Sequence, residues 1–252
     1  MTDSILLPTR KDEAWRYSDI DALEGTAPET FEAWEDVRVA KGETLRDLVI
    51  VDGEDGLQMR RLRIVIEEGA RAELAALVAG GQLGRLEVVV TLAEGAHFEL
   101  GGITLGGGDT TREIVTRLAH EKPDATSNQT VRSVHWGKGT GNFLGRIDVA
   151  RDAQKTDAAQ SFKGLLLEKG ASVNSVPQLE IYADDVKCAH GATVGQLDES
   201  ARFYMAARGL PPETIRRLLV QAFIGDATRE LADEATREAL LDAALAKLEA
   251  RA

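Results

Sequence analysis

The stretch from about residue 41 to 196 most constrains what this chain can fold into. It is a long series of short strand-like segments with no clear helix between them. LVIV (48–51), LRIVI (62–66), LEVVVTL (86–92), REIVTRL (112–118), TVRSVHW (130–136), FLGRIDV (143–149), FKGLLL (162–167) and LEIYA (179–183) are rich in β-branched or aliphatic residues, and Gly, Asp and Asn punctuate them. The absence of an intervening amphipathic helix argues against alternating βαβ units. ARAELAALVAGG is ambiguous between strand and helix. A degenerate repeat runs through the series. EEGARAEL starts at Glu67, AEGAHFEL 26 residues later at Ala93, and EKGASVNS 75 residues after that at Glu168, close to three times the first step. A fixed length of chain per structural turn is the signature of a solenoid, with each Gly-Ala at a corner where Gly accepts positive φ. Regularly spaced turns also suit a β-sandwich, so both architectures stay open on the residues alone.

Two different zones flank the series. Residues 1–40 are too few to bury a core of their own. DEAWRYSDIDAL reads as a short helix anchored by Trp15, Tyr17 and Ile20, and Phe31 and Trp34 follow a GTAPET break. Residues 197–252 read as helical. Asp198 is placed to cap DESARFYMAARG, Gly209 to end it, and Pro211 and Pro212 to open the next helix. There Ile215, Leu218, Leu219, Ala222 and Phe223 share one stripe. A last helix over about 228–250 carries Leu231, Leu241, Leu245 and Leu248.

Composition narrows the classes of function. A net charge of −12 gives no basic face for nucleic acid. Arg60, Arg61 and Arg63 sit near Glu67 and Glu68 and read as a solvated strand face. One cysteine excludes an internal disulfide. The N-terminus lacks a secretory pattern and no segment is apolar enough to span a bilayer, so no membrane partner and a cytoplasmic location are expected.

Chemistry-bearing residues are sparse. Cys188 and His190 are two apart, so on a strand they share a face and offer sulfur and imidazole to zinc or iron. On that strand only Asp184 could add a ligand. His97, His120 and His135 show no metal-ligand spacing and read as polar or interfacial residues. LGGGDTTRE lacks the Lys-Ser/Thr of a phosphate loop, and G-x-S-x-G is absent. A self-contained β-solenoid enzyme, a lyase or an acyltransferase, would need clustered acids and bases or a strict six-residue period, and neither is visible. The pair therefore reads as part of a site completed by a second chain.

The segment DVKCAHGATVGQLDESARFYMAARGLPPETIRRLLVQAF, preceded by PQLEIYAD, resembles the C-terminal signature of the SufB/SufD family of iron–sulfur cluster assembly proteins. PTRKDEAWRYSDI is similar to the family's opening motif. His190-Gly191-Ala192-Thr193 and the single cysteine separate the chain from the SufB paralogue. The resemblance implies a mainly β fold: a right-handed parallel β-helix over 41–196, a short N-terminal segment over 1–40 and a C-terminal α-helical domain over 197–252. The family typically carries a longer helical region ahead of the strands. The resemblance also implies a non-catalytic subunit of an assembly complex. It would pair with SufB through the β-helix and recruit the SufC ATPase through its C-terminal helices. Cys188 and His190 would contact a nascent iron–sulfur cluster together with residues of SufB, and no cofactor would be bound by the isolated chain. Arg208, Gly209, Ile215, Leu219 and Phe223 are the expected contacts to the ATPase. A homodimer is expected where SufB is absent.

Overall fold

The structure, a computed structural model, describes residues 7–249. Twelve strands wind into two stacked sheets. They are β1 (Glu35–Val39), β2 (Thr44–Val51), β3 (Leu57–Ile66), β4 (Arg71–Val78), β5 (Leu83–Leu92), β6 (His97–Gly106), β7 (Thr111–His120), β8 (Thr126–His135), β9 (Thr140–Val149), β10 (Asp157–Leu166), β11 (Ser172–Ile181) and β12 (Lys187–Gly195). Odd strands form one sheet in the order β1-β3-β5-β7-β9-β11, and even strands form the other in the order β12-β10-β8-β6-β4-β2. Neighbours within each sheet pair in parallel, for example β3 with β5 and β8 with β10. That pattern is a β-solenoid of about six turns and removes the antiparallel sandwich.

Register explains the core. Ile64 pairs with Val90, Val90 with Leu118, Leu118 with Ile147 and Ile147 with Leu179. One aliphatic column thus runs the length of the stack, and each fully buried member contributes about 1.5–3 kcal/mol. Across the interior Phe143 of β9 stacks on Phe162 of β10, with ring centroids 5.7 Å apart. The turns widen along the chain. Arg61 meets Glu87 from 26 residues away in an early turn, whereas Asn174 meets Asn142 from 32 away in the last.

The Gly-Ala corners hold for two of the three copies. Gly69 and Gly95 take φ of +64° and +63°, and Ala70 and Ala96 behind them are buried. The equivalent corners of later turns are Asp124-Ala125 and Lys155-Thr156, where non-glycine residues adopt φ of +59° and +60°. Gly170 belongs to the opposite corner, between β10 and β11. There a Cβ would lie 2.2 Å from the Gly137 carbonyl, so glycine answers a close approach rather than a positive φ. The 75-residue step is therefore not three turns of one column.

β4 and β6 correct the reading of the ambiguous stretch. ARAELAALVAGG contributes a strand, and HFELGGITLG, not recognised as one, is another. Their small residues have a reason. A Cβ on Gly101 would come 2.5 Å from the Ala227 carbonyl, because the C-terminal layer lies directly on this sheet. That layer comprises α1 (Glu199–Ala206), α2 (Pro212–Gly225), a 3-10 turn at Asp226–Thr228 and α3 (Glu234–Glu249). Val220, Ile224, Ala227, Leu231, Leu240 and Ala244 pack against Ala75, Leu77, Ile103 and Leu105. The Asp198 carboxylate caps α1, accepting from the Ser200 and Ala201 amides at 2.8 and 3.2 Å. The buried face of α2 is Ile215, Val220 and Ile224 rather than the expected stripe, and Leu218 and Ala222 are exposed. Leu231 is buried ahead of the last helix, which starts at Glu234.

The N-terminal stretch forms 3-10 turns at Glu13–Trp15, Ile20–Leu23 and Pro28–Phe31 instead of the expected helix. Tertiary anchoring decides its shape. Trp15 packs edge-on to Phe31, and the Arg85 guanidinium lies 3.9 Å over the Trp15 ring. Arg85 Nη1 reaches Glu113 at 2.6 Å, and Ser18 Oγ donates to the same carboxylate. Asn142 Nδ2 donates both to Glu113 and to the Tyr17 carbonyl. Tyr17 itself is exposed, so it is not an anchor. Removing Glu113 would strand a buried guanidinium at a cost of about 3–5 kcal/mol. Arg60, Arg61 and Arg63 pair with Glu35, Glu87 and Asp36, while Glu67 and Glu68 pair with Arg38 and Lys41. Arg61 also lies 3.9 Å over the Trp34 ring.

Candidate functional site

Cys188 and His190 lie on β12, the last strand of its sheet. It hydrogen-bonds to β10 on one side and to no strand on the other among the described residues. Its register sets Cys188 beside Ala158 and His190 beside Gln160. Ala158 is buried in the interior core and Cys188 packs partly against it, so both site residues belong to the interior-facing set of their strand. His190 is exposed because no further turn covers the interior here, whereas Cys188 is half-buried. Burial raises the Cys188 pKa, the Asp157 carboxylate adds to the rise, and a hydrogen bond with the Ala158 backbone opposes it. The thiol is therefore protonated at neutral pH, and a cation bound at the edge would be needed to make it a thiolate ligand.

Beneath the pair lie two columns that sequence spacing did not reveal. Gln129, Gln160 and His190 are stacked in register on β8, β10 and β12, and Ser127, Ala158 and Cys188 form the neighbouring column. Gln129 accepts from Thr116 Oγ1 at 2.6 Å across the interior, and Gln160 Nε2 donates to the Gly145 carbonyl at 3.3 Å. Gln129 Nε2 and Gln160 Oε1 have no hydrogen-bond partner among the described residues, an unusual concentration of unmet polarity in a solenoid core. His120 Nε2 lies 2.9 Å from Ser127 Oγ at the foot of the cysteine column. The only advance signal for these contacts was polar residues inside apolar strand patterns.

The other histidines are polar groups hydrogen-bonded within the fold. His120 and His135 are buried and burial pushes their pKa values down to about 4 and about 3, so both are neutral. His97 is half-buried against Thr126, at 2.7 Å. Asp184 is exposed, and no group of three or more His, Cys, Asp or Glu side chains among the described residues is placed to hold a metal. Cys188 and His190 thus supply two donors at an open edge.

The second expected surface is corrected in part. Ile215 is buried in the helical layer and offers no surface to a partner, and Leu219 and Phe223 are half-buried. Arg208 stacks on Tyr204, 3.4 Å from the ring centroid, and Gly209 takes φ +83° at the end of α1. The most exposed apolar groups of this layer are instead Phe203 at 78% and Tyr204 at 56%, on a helix with no buried residue. In the sequence these two aromatics stand out only as part of the family resemblance, because spacing does not show which face of α1 the fold leaves uncovered.

Residues 37–223, most of the solenoid together with α1 and nearly all of α2, match the family model described as "SUF system FeS cluster assembly, SufBD core domain". The chain belongs to the SufB/SufD family. Among SufB/SufD relatives, the iron–sulfur cluster assembly protein SufD of Escherichia coli is 41% identical over 126 residues, 50% of this chain and 30% of that protein. The chloroplastic protein ABCI7 of Arabidopsis thaliana is 36% identical over 176 residues, 67% of this chain and 37% of that one. A SufBD family protein of Synechocystis is 38% identical over 109 residues, 43% and 24% of the two chains. The chain therefore spans about a quarter to somewhat over a third of the length of these relatives. Among the described residues no helix is long and apolar enough to cross a membrane.

Proposed function

We propose that this chain is a scaffold subunit for iron–sulfur cluster assembly, not an enzyme, and that it works in the cytoplasm. Its open β12 edge pairs with the solenoid of a SufB-type paralogue, and the nascent cluster, the cargo of the complex, is built where the two meet. The observation that carries this reading is the placement of Cys188 and His190, a sulfur and an imidazole donor on a strand with one open edge. A partner strand adding to that edge would bring its own donors to within reach of both. Exposed Phe203 and Tyr204, with Arg208 and Gly209 beside them and Leu219 and Phe223 on α2, present α1 and α2 to a SufC-type ATPase, which supplies the hydrolysis. In the absence of the paralogue the same β12 edge pairs with a second copy of the chain.

Co-expression with a SufB-type paralogue and a SufC-type ATPase, followed by affinity purification of this chain, tests the assembly. All three are expected together, and retrieval of this chain alone would end the proposal. The His190→Ala complex should assemble normally yet accumulate less iron and sulfide. Unchanged loading in that variant and in Cys188→Ser would remove the pair from the site.

A further inference from the structure

Among the described residues three arginines are buried to within 5% of full burial: Arg85, Arg112 and Arg132. Two have the carboxylate that a buried guanidinium requires. Arg85 has Glu113 at 2.6 Å and Arg132 has Asp226 at 2.5 Å. Arg112 of β7 has none among the described residues. Its Nη1 donates only to the neutral carbonyls of Thr111 and Gln82, at 2.8 and 3.4 Å, and its buried Nε has no partner. Burial lowers its pKa to about 10, so it stays a cation at neutral pH. A buried charge without a counter-charge is costly, and a net charge of −12 makes a spare carboxylate easy to come by. Its absence here calls for a reason.

Arg112 lines a cavity of about 330 Å³ whose other walls include Gly106, Gly107, Trp136 and Lys247 of α3. The glycine run LGGGD, which lacks a phosphate-loop signature, is explained by this cavity. A Cβ on Gly107 would overlap the Trp136 indole, and one on Gly106 would come 3.0 Å from both Arg112 Cγ and His135 Nδ1. Glycine thus lets a cation and an aromatic ring close around one bare turn of backbone. His135 is neutral there, which avoids a second buried charge. Lys247 brings a second cation to the rim, held 3.1 Å from the Asp52 carboxylate.

We propose that this cavity binds a small phosphate-bearing anion, its phosphate on Arg112 and Lys247 and any organic portion against Trp136. The volume exceeds a bare phosphate and falls at the small end of the usual range for ligand sites. Guanidinium recognition of phosphate is well matched in geometry and charge. The site shares no residue with the Cys188–His190 edge, so it stands or falls separately from the assembly reading.

The test is thermal unfolding of the full chain in inorganic phosphate or adenosine monophosphate, each against chloride at equal ionic strength. The expected result is a rise of about 3 °C at about 10 mM anion. Equal shifts from both anions assign the site to free phosphate, and a larger shift from the nucleotide assigns it to a phosphate ester. Arg112→Met removes an uncompensated charge, so it should fold at least as well in chloride and lose the shift. Lys247→Met, at a half-exposed position, should reduce the shift while leaving the fold intact. No phosphate effect beyond chloride in the wild-type chain, or an undiminished shift in both variants, would overturn the proposal.

Discussion

The two ends of the solenoid are built differently. At the first end, β1 reads EDVRV and nearly every outward position is charged and paired: Glu35 with Arg60, Asp36 with Arg63, and Arg38 with Glu67. At the last end, β12 reads KCAHGATVG, with small or neutral side chains after Lys187 and Val194 55% exposed. Its neighbour at that end, β11, carries Pro177, which has no N–H to offer a further strand. Charge and proline are the usual means by which a sheet edge refuses a partner. Three of the four terminal strand edges are thus blunted, β2 through Arg46 and Asp47, and the fourth, β12, is left receptive. The difference supports the proposed pairing at the β12 end, the end that carries the cysteine and histidine.

That contrast can be broken most forcefully by placing charge on the receptive edge. Val194→Glu should weaken co-purification of a SufB-type partner by about 30-fold or more, a hot-spot effect. Arg38→Glu, at an exposed position of the other end, should leave it unchanged, as pull-down titration would show. A second test removes the protection of the first end. The double change Glu35→Val and Asp36→Val removes both carboxylates from this edge and leaves Arg38 as its one charge, and light scattering should detect concentration-dependent self-association absent from the wild type. Acid should do the same more gently. Arg60 holds the Glu35 carboxyl below its ordinary pKa by hydrogen bonding, and Arg38 does likewise for Glu67. Because these folded-state pKa values are lowered, the ion pairs are complete above pH ~4.5 and are lost as pH falls through the lowered values. Association through the β1 end should therefore appear only as pH falls through those lowered values. The smallest effect is expected from the site itself. His190→Ala, at an exposed position, should change unfolding free energy by no more than about 0.5 kcal/mol in urea titration.

Much of the sheet at the Ile64–Leu179 column was legible, because β-branched residues facing a sealed interior leave an unmistakable pattern. β4 and β6 were not, and the cause is local. Their Ala and Gly residues serve the helical layer pressed on their outer face, and small residues carry no strand signature. The turn period was visible only where glycine supplied the corner. Asp124 and Lys155 adopt the same backbone under a different disguise. At the site, Cys188 and His190 announced themselves by spacing. Gln129 and Gln160 did not, since what sets them under His190 is register between strands about 30 residues apart, a distance no local pattern encodes. Likewise Arg112 and Lys247 meet only because α3 returns to the start of the stack.

The stack also behaves as a ruler. The sheet that runs from the blunted β1 edge to its counterpart β11 has six strands, a span of about 24 Å at the usual spacing between neighbouring strands. Gaining or losing one turn would alter that reach by a single increment of about 5 Å and leave the chemistry of both ends untouched. Evolution can therefore retune how far a receptive edge stands from its opposite end without redesigning either.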